Sequence, residues 1–440
     1  MMRWHGKGIF AVCALAACSG NDNQSATGGE TEIGSAADDG TDAGEGKGDE
    51  ADDQGAGTGG TTESGGGVSA GEPPTKFDLG TVPDTPDGVV CQGPGDGEPE
   101  FSYLWAANST QGTISKLDTL TVQELGRYVV RPDANGSPSR TSVNLEGDVA
   151  VANRSGGVTK IYALEERCQE SNGVPGIQTS TDSSFLPWGQ EECVAWHTPM
   201  NYESQRPVAW TTGQFNPATC RHENAMVWTS GRVNQQTDVL LLDGETGVVV
   251  DQVTLVGFPY DYFGIYGGAV DADGNFWGSQ LGGGMLVRVS LDDLSYDMWN
   301  VPSGGYGMTV DDEGYVWVCS STFGRFDPVT ETWQTGSGGN YAGCMAERGP
   351  NGLLWMGGGS QIIGVNRQTL AVEATFNVPS YGVSIDYYGY VWGVAYGSSA
   401  HRVDPATGDV QSYNGLVGAY TYSDMTGYAL ANAGGGAPPG

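Results

Sequence analysis

Four tyrosines recur at one place in a repeated pattern. Tyr266, Tyr306 and Tyr381 each stand directly before a glycine, and Tyr341 stands before Ala342-Gly343. Arg140 and Arg206 lie at or beside the corresponding place further upstream. Phenols both donate and accept hydrogen bonds, and a guanidinium grips a carboxylate with two parallel bonds. Four phenols and two guanidiniums around a pocket would suit a sugar or a peptide carboxylate. The same tyrosines could instead pack one repeat against the next, each hydroxyl wetted at the rim. The sequence leaves both readings open.

Other chemistry is sparse. The chain has 4 histidines, His5, His197, His222 and His401. Only His401 is expected near the tyrosines, as a packing residue or as part of their site. Paired-histidine acid–base or metal work is therefore not expected. Asp271-Ala272-Asp273-Gly274 and Asp311-Asp312-Glu313-Gly314 superficially resemble calcium loops, but they lack the length and distal glutamate of such a loop. They read as hairpin turns. Gly282–Gly284 and Gly357–Gly359 have no following helix or lysine to make a phosphate loop. No nucleophile elbow is visible. No catalytic residue, metal ligand or cofactor is expected.

The elements that must position the tyrosines come from a repeat of about 40 residues. Trp277, Trp317, Trp355 and Trp392 are spaced 40, 38 and 37 residues apart. Each copy reads as a short inner strand led by Tyr, a tight turn, a strand carrying Trp, and two further strands joined by a turn such as Asp404-Pro405-Ala406-Thr407-Gly408. Four antiparallel strands per repeat make a propeller blade. Weaker copies centre on Trp105, Ala150 and Trp228. The unit at Trp105 has no inner strand in front of it, and residues 419–430 fit an orphan inner strand. Closing the first blade from both termini removes an exposed sheet edge. The expected fold is an all-β, seven-bladed propeller over residues 89–433, with six or eight blades also compatible. An enlarged loop of about 165–192 interrupts the second blade.

Blade geometry also sorts the cysteines. Cys319 lies high on the second strand of the fifth blade, and Cys344 lies high on the inner strand of the sixth. The two fall within bridging range, or remain two buried thiols. Cys168 and Cys193 bracket the long loop and form the other expected pair, leaving Cys91 and Cys220.

The pattern Tyr-Gly-x-x-x-Asp-x-x-Gly-x-x-Trp, followed by Gly-Arg-x-Asp-Pro-x-Thr-Gly, resembles the streptogramin lyase (virginiamycin B lyase) propellers. It resembles NHL-type propellers more loosely. The resemblance implies a propeller. Its lyases open a cyclic depsipeptide by metal-assisted elimination, with His and Glu at one mouth of the channel and blades that read Trp-Phe-Thr-Glu. This chain departs there, with Gly278-Ser279-Gln280, Val318-Cys319-Ser320, Met356-Gly357-Gly358 and Gly393-Val394-Ala395 after the blade tryptophans. No catalytic residue carries over.

The N-terminus supplies an address. Arg3 and Lys7 precede a short apolar run that ends Leu15-Ala16-Ala17-Cys18. This resembles the bacterial lipobox, in which the cysteine becomes the acylated N-terminus. Residues 1–18 are thus expected to be a signal segment, with Cys18 anchoring the chain in the envelope, most simply at the outer membrane. Residues 19–88 are rich in Gly, Ser, Thr and acids and cannot bury a core; they read as a tether. Residues 434–440 (GGGAPPG) read as a loose tail. With 19 Lys+Arg against 53 Asp+Glu and a net charge of −34, nucleic acid is excluded as a partner. The expectation is a monomeric, surface-exposed, non-catalytic module that binds a protein or a glycan. The alternative is a lyase or hydrolase acting on an extracellular peptide or polysaccharide.

Overall fold

A computed structural model of the chain describes residue 99 and residues 101–434. The leader, Cys18, Cys91 and the whole of the tether lie outside the described residues.

Each repeat folds into consecutive antiparallel strands. In the fourth blade they are Gly267–Val270, Phe276–Ser279, Gly284–Val289 and Tyr296–Val301. The fifth runs from Gly307–Val310 to Thr332–Ser337, the sixth from Cys344–Ala346 to Val372–Phe376, and the seventh from Gly382–Ile385 to Val410–Tyr413. The third begins with Ser204–Trp210 and carries an added hairpin, Gln214–Asn216 with Arg221–Glu223. The second begins with Pro138–Val143, and its outer strand, Val194–Thr198, follows the long loop. The first supplies three strands, Tyr103–Asn108, Thr113–Asp118 and Gln123–Val129. The propeller therefore has seven blades.

One aspartate explains why the Asp-Gly turns recur. Asp271, Asp311 and Asp386 each end an inner strand. Through Oδ1 each accepts two backbone N–H groups of its own turn. Through Oδ2 each accepts the indole N–H of its blade tryptophan, at 2.9, 2.8 and 2.7 Å. The tryptophans of the second strands, Trp105, Trp228, Trp277, Trp317, Trp355 and Trp392, are at most 1% exposed and form the core between blades.

The C-terminal segment closes the ring. Ala419 bridges both Asn108 of the first blade and Gly397 of the seventh. Tyr420 N–H donates to Ala107 O, and Trp105 N–H donates to Met425 O. Tyr422 and Ser423 then pair in parallel with Arg140 and Thr141 of the second blade's inner strand. The segment thus runs along the inner edge of the first blade, as the sequence suggests, but its one regular strand, Tyr422–Ser423, belongs to the second blade's sheet. The expected strand to residue 430 is corrected, and of the expected tail only Gly434 is among the described residues. Residues Tyr428–Gly434 form a helix that buries Leu430, Ala431 and Ala433 at the far end of the inner strands. Asp424 holds the helix start by accepting N–H groups of Gly427 and Leu430. A small cavity of about 30 Å³ lies there, between Val270, Val310, Asp424 and Leu430. The channel is stoppered at that end.

Both expected disulfides are present, Cys168–Cys193 with Cα atoms 4.5 Å apart and Cys319–Cys344 with Cα atoms 6.3 Å apart. The second staples the fifth blade to the sixth. Cys220 is also disulfide-bonded. No helix among the described residues is long and apolar enough to cross a membrane.

Candidate functional site

The inner strands begin at the end opposite the helix, and the recurring tyrosines gather there. Strand register defines which residues meet there. Ala269, Thr309 and Ser384 each pair with a blade tryptophan, so the residues three before them, Tyr266, Tyr306 and Tyr381, are equivalent. In the third blade Ala209 pairs with Trp228, and a β-bulge between Thr229 and Gly231 sets Arg206 beside this place. In the sixth blade Met345 pairs with Trp355, which puts Ala342 at this place and moves Tyr341 one residue out. The glycine that follows has a steric reason. A Cβ on Gly382 would sit 2.1 Å from Thr421 O, and one on Gly307 would sit 2.7 Å from Ala342 O. Inner strands pass this closely only without side chains.

The phenols form one hydrogen-bonded cluster. Tyr266 Oη lies 3.0 Å from Tyr306 Oη and 2.8 Å from Tyr420 Oη. Tyr381 Oη donates to Tyr306 Oη at 2.6 Å, and Tyr420 Oη lies 3.2 Å from Tyr422 Oη. Tyr306 and Tyr420 also share a hydrogen bond. Burial raises the phenol pKa values of Tyr266, Tyr306 and Tyr381. Tyr420 moves the other way. Burial opposes its ionisation, but hydrogen bonds from Tyr266 and Tyr306 and the charges of Arg140 and Arg206 outweigh it, so its pKa falls.

Three guanidiniums surround the phenols. Arg140 is fully buried, donates Nε and Nη2 to Tyr266 O, and stacks on the Tyr422 ring. Its Nη1 has no partner, and burial pulls its pKa down to about 10. Arg206 lies over the rings of Phe263 and Tyr266, 4.4 and 5.0 Å from their centres. Arg154 lies 4.9 Å over Tyr420 and donates to Ser137. None of the three is ion-paired within the described residues. At the rim, Tyr341 (52% exposed) and Tyr396 (75%) both contact the Tyr381 ring. Tyr262 (67% exposed) continues the aromatic surface through Phe263 to Tyr266.

Of the residues singled out by sequence, the structure brings together Tyr266, Tyr306, Tyr381, Arg140 and Arg206. Tyr341 is a rim residue whose hydroxyl does not join the cluster. His401 sits in the third strand of its blade and hydrogen-bonds Ser412 of the outermost strand at 2.7 Å, which fits its reading as a packing residue. A strand position facing its outer neighbour cannot serve the axis. His197 contacts Thr159 and His222 contacts Thr212 O, both away from the cluster. No group of three or more His, Cys, Asp or Glu that could hold a metal occurs among the described residues. Tyr420, Tyr422 and Arg154 were not foreseen. The alternation Tyr420-Thr421-Tyr422 in a segment read as an inner strand was the available signal.

No protein-family model matches the sequence, and no curated protein is similar to it by sequence. Solved structures are similar in fold. Virginiamycin B lyase from Staphylococcus aureus is 13% identical with a TM-score of 0.41, over 63% of this chain and 84% of that one. A protein from Lactobacillus plantarum is 11% identical with a TM-score of 0.47, over 73% of this chain and 98% of its own. Apo AztD from Citrobacter koseri is 10% identical with a TM-score of 0.42, over 73% and 96%. What the chain shares with them is the β-propeller.

Proposed function

We propose that the chain is a binding module of the cell envelope that takes a glycan at the tyrosine-lined mouth of the propeller. The observation that carries this is the exposed aromatic surface of Tyr341, Tyr396 and Tyr262, in ring contact with the buried phenols and guanidiniums behind it. Flat rings suit the C–H faces of sugars, and the convergent polar groups behind them would fix orientation. The lipobox-like leader and acidic tether support display at the bacterial surface, and the two disulfides fit an oxidising compartment. A protein partner is the competing occupant.

A glycan array probed with the purified body tests this. Tyr396→Ala should lower binding to the hits about tenfold while leaving the unfolding midpoint unchanged, because the side chain is 75% exposed. An array without hits would remove the glycan reading.

One arrangement favours the enzymatic alternative: Tyr420 Oη is hydrogen-bonded to Tyr266 and Tyr306 with Arg154 over its ring, a setting that draws its pKa down and suits an acid–base group. Release of new chain ends from a bound polysaccharide by the wild type, and not by Tyr420→Phe, would establish it.

A further inference from the structure

Arg206 is held in place without a partner for its charge. The guanidinium lies over Phe263 and Tyr266, which fixes its plane. It makes no hydrogen bond and no ion pair within the described residues, and its Nε is buried without an acceptor. Seven other arginines are ion-paired to Asp or Glu, namely Arg127, Arg131, Arg167, Arg221, Arg232, Arg288 and Arg367. In a chain with 53 acids the mouth has three arginines and none of them reaches a carboxylate.

Burying a charge without a counter-ion is costly. Arg140 makes the point most sharply, since it is fully buried with Nη1 unpartnered. Burial lowers the pKa of both Arg140 and Arg154, and the charge of Arg206 lowers each further. An anion at the mouth would relieve both costs. The half-buried Arg206 presents a planar fork that matches a carboxylate. The remainder of the molecule is acidic, so a long polyanion is repelled while one or two carboxylates are not.

We infer that the glycan bound at the mouth carries a carboxylate, and that Arg206 receives it. The ligand class is a short uronate-bearing saccharide, its ring faces against Tyr341 and Tyr396 and its acid on the guanidinium. This rests on the glycan reading above and adds the charge of the ligand to it.

The test is calorimetric titration of the purified body with a panel of uronate disaccharides, their carboxyl-reduced neutral counterparts, and the dipeptide Ala-Ala. A uronate should bind at least tenfold tighter than its neutral counterpart, and the difference should shrink as salt rises. Arg206→Gln should abolish that difference while the variant still unfolds in one cooperative transition, since the side chain makes no hydrogen bond and losing its ring stacking is offset by relieved repulsion. Arg206→Lys should recover only part of it, because the charge is kept and the fork is lost. Equal binding of charged and neutral sugars would overturn the inference and leave the glycan reading standing. Binding of neither overturns the glycan reading itself. Binding of Ala-Ala in preference to every uronate overturns the inference in favour of a peptide.

Discussion

Asp386 shows how one side chain can define a turn and a core contact together. It caps the Tyr388-Gly389 turn, accepts the Trp392 indole N–H, and is fully buried. Burial dominates, pushing its pKa to about 7 against the hydrogen bonds and Arg402, which pull it down. Asp424 at the helix start is raised to about 6 for the same reason. The unfolded chain loses these protons near pH 4. Between pH 4 and about 7 the fold keeps protons that the unfolded state has released, so stability falls as pH rises through that window. Urea unfolding from pH 4.5 to 8 should show this as a decline of order 1–4 kcal/mol. Asp386→Asn should flatten the slope by about one proton, while Asn can still accept the turn N–H groups, as Asn144 does in the second blade. An unchanged slope in the variant would show that Asp386 is ionised throughout.

Among the elements, the C-terminal segment does the most with the fewest residues. Residues 419–434 close the ring, add Tyr420 and Tyr422 to the mouth, and plug the opposite end with the helix. Deleting 419–434 should leave the first blade without its inner place and expose its edge. It should cost several kcal/mol, read as a broadened, lowered unfolding transition, and Tyr420 and Tyr422 leave the mouth with it. A truncated chain with the same midpoint would mean that six complete blades suffice. The repeat that announces this architecture is legible because its signals are local: a Trp, an Asp-Gly turn and a Tyr-Gly start lie within a dozen residues. Tyr341 misleads because one inserted residue, Ala342, shifts the register, and a one-residue shift re-aims a side chain. Tyr420 was hard to place because its partners, Tyr266 and Tyr306, are 154 and 114 residues away. The helix is short and Gly-flanked, so nothing in its sequence distinguishes it from a tail.

At the scale of the whole molecule, address and stability are linked through the cysteines. Each described disulfide closes 25 residues, and a loop of that length constrains the unfolded chain by about 3 to 4 kcal/mol. That stabilisation exists only where thiols oxidise, which the lipobox-like leader would arrange. Two versions of the chain separate these effects. In a bacterial host, the full chain should be processed at Cys18, labelled by fatty acid, and recovered in the detergent phase. Cys18→Ser should lose the label and the partitioning. A version lacking residues 1–18, made in a reducing cytosol, should fold as the same propeller with Cys168, Cys193, Cys319 and Cys344 reactive to a thiol reagent under denaturant. Its unfolding midpoint should be lower, and oxidation should restore it. The anchor is refuted if fatty-acid label persists in Cys18→Ser. The stabilising role of the bridges is refuted if reduced and oxidised bodies unfold at the same midpoint, because the blades alone would then hold the ring closed.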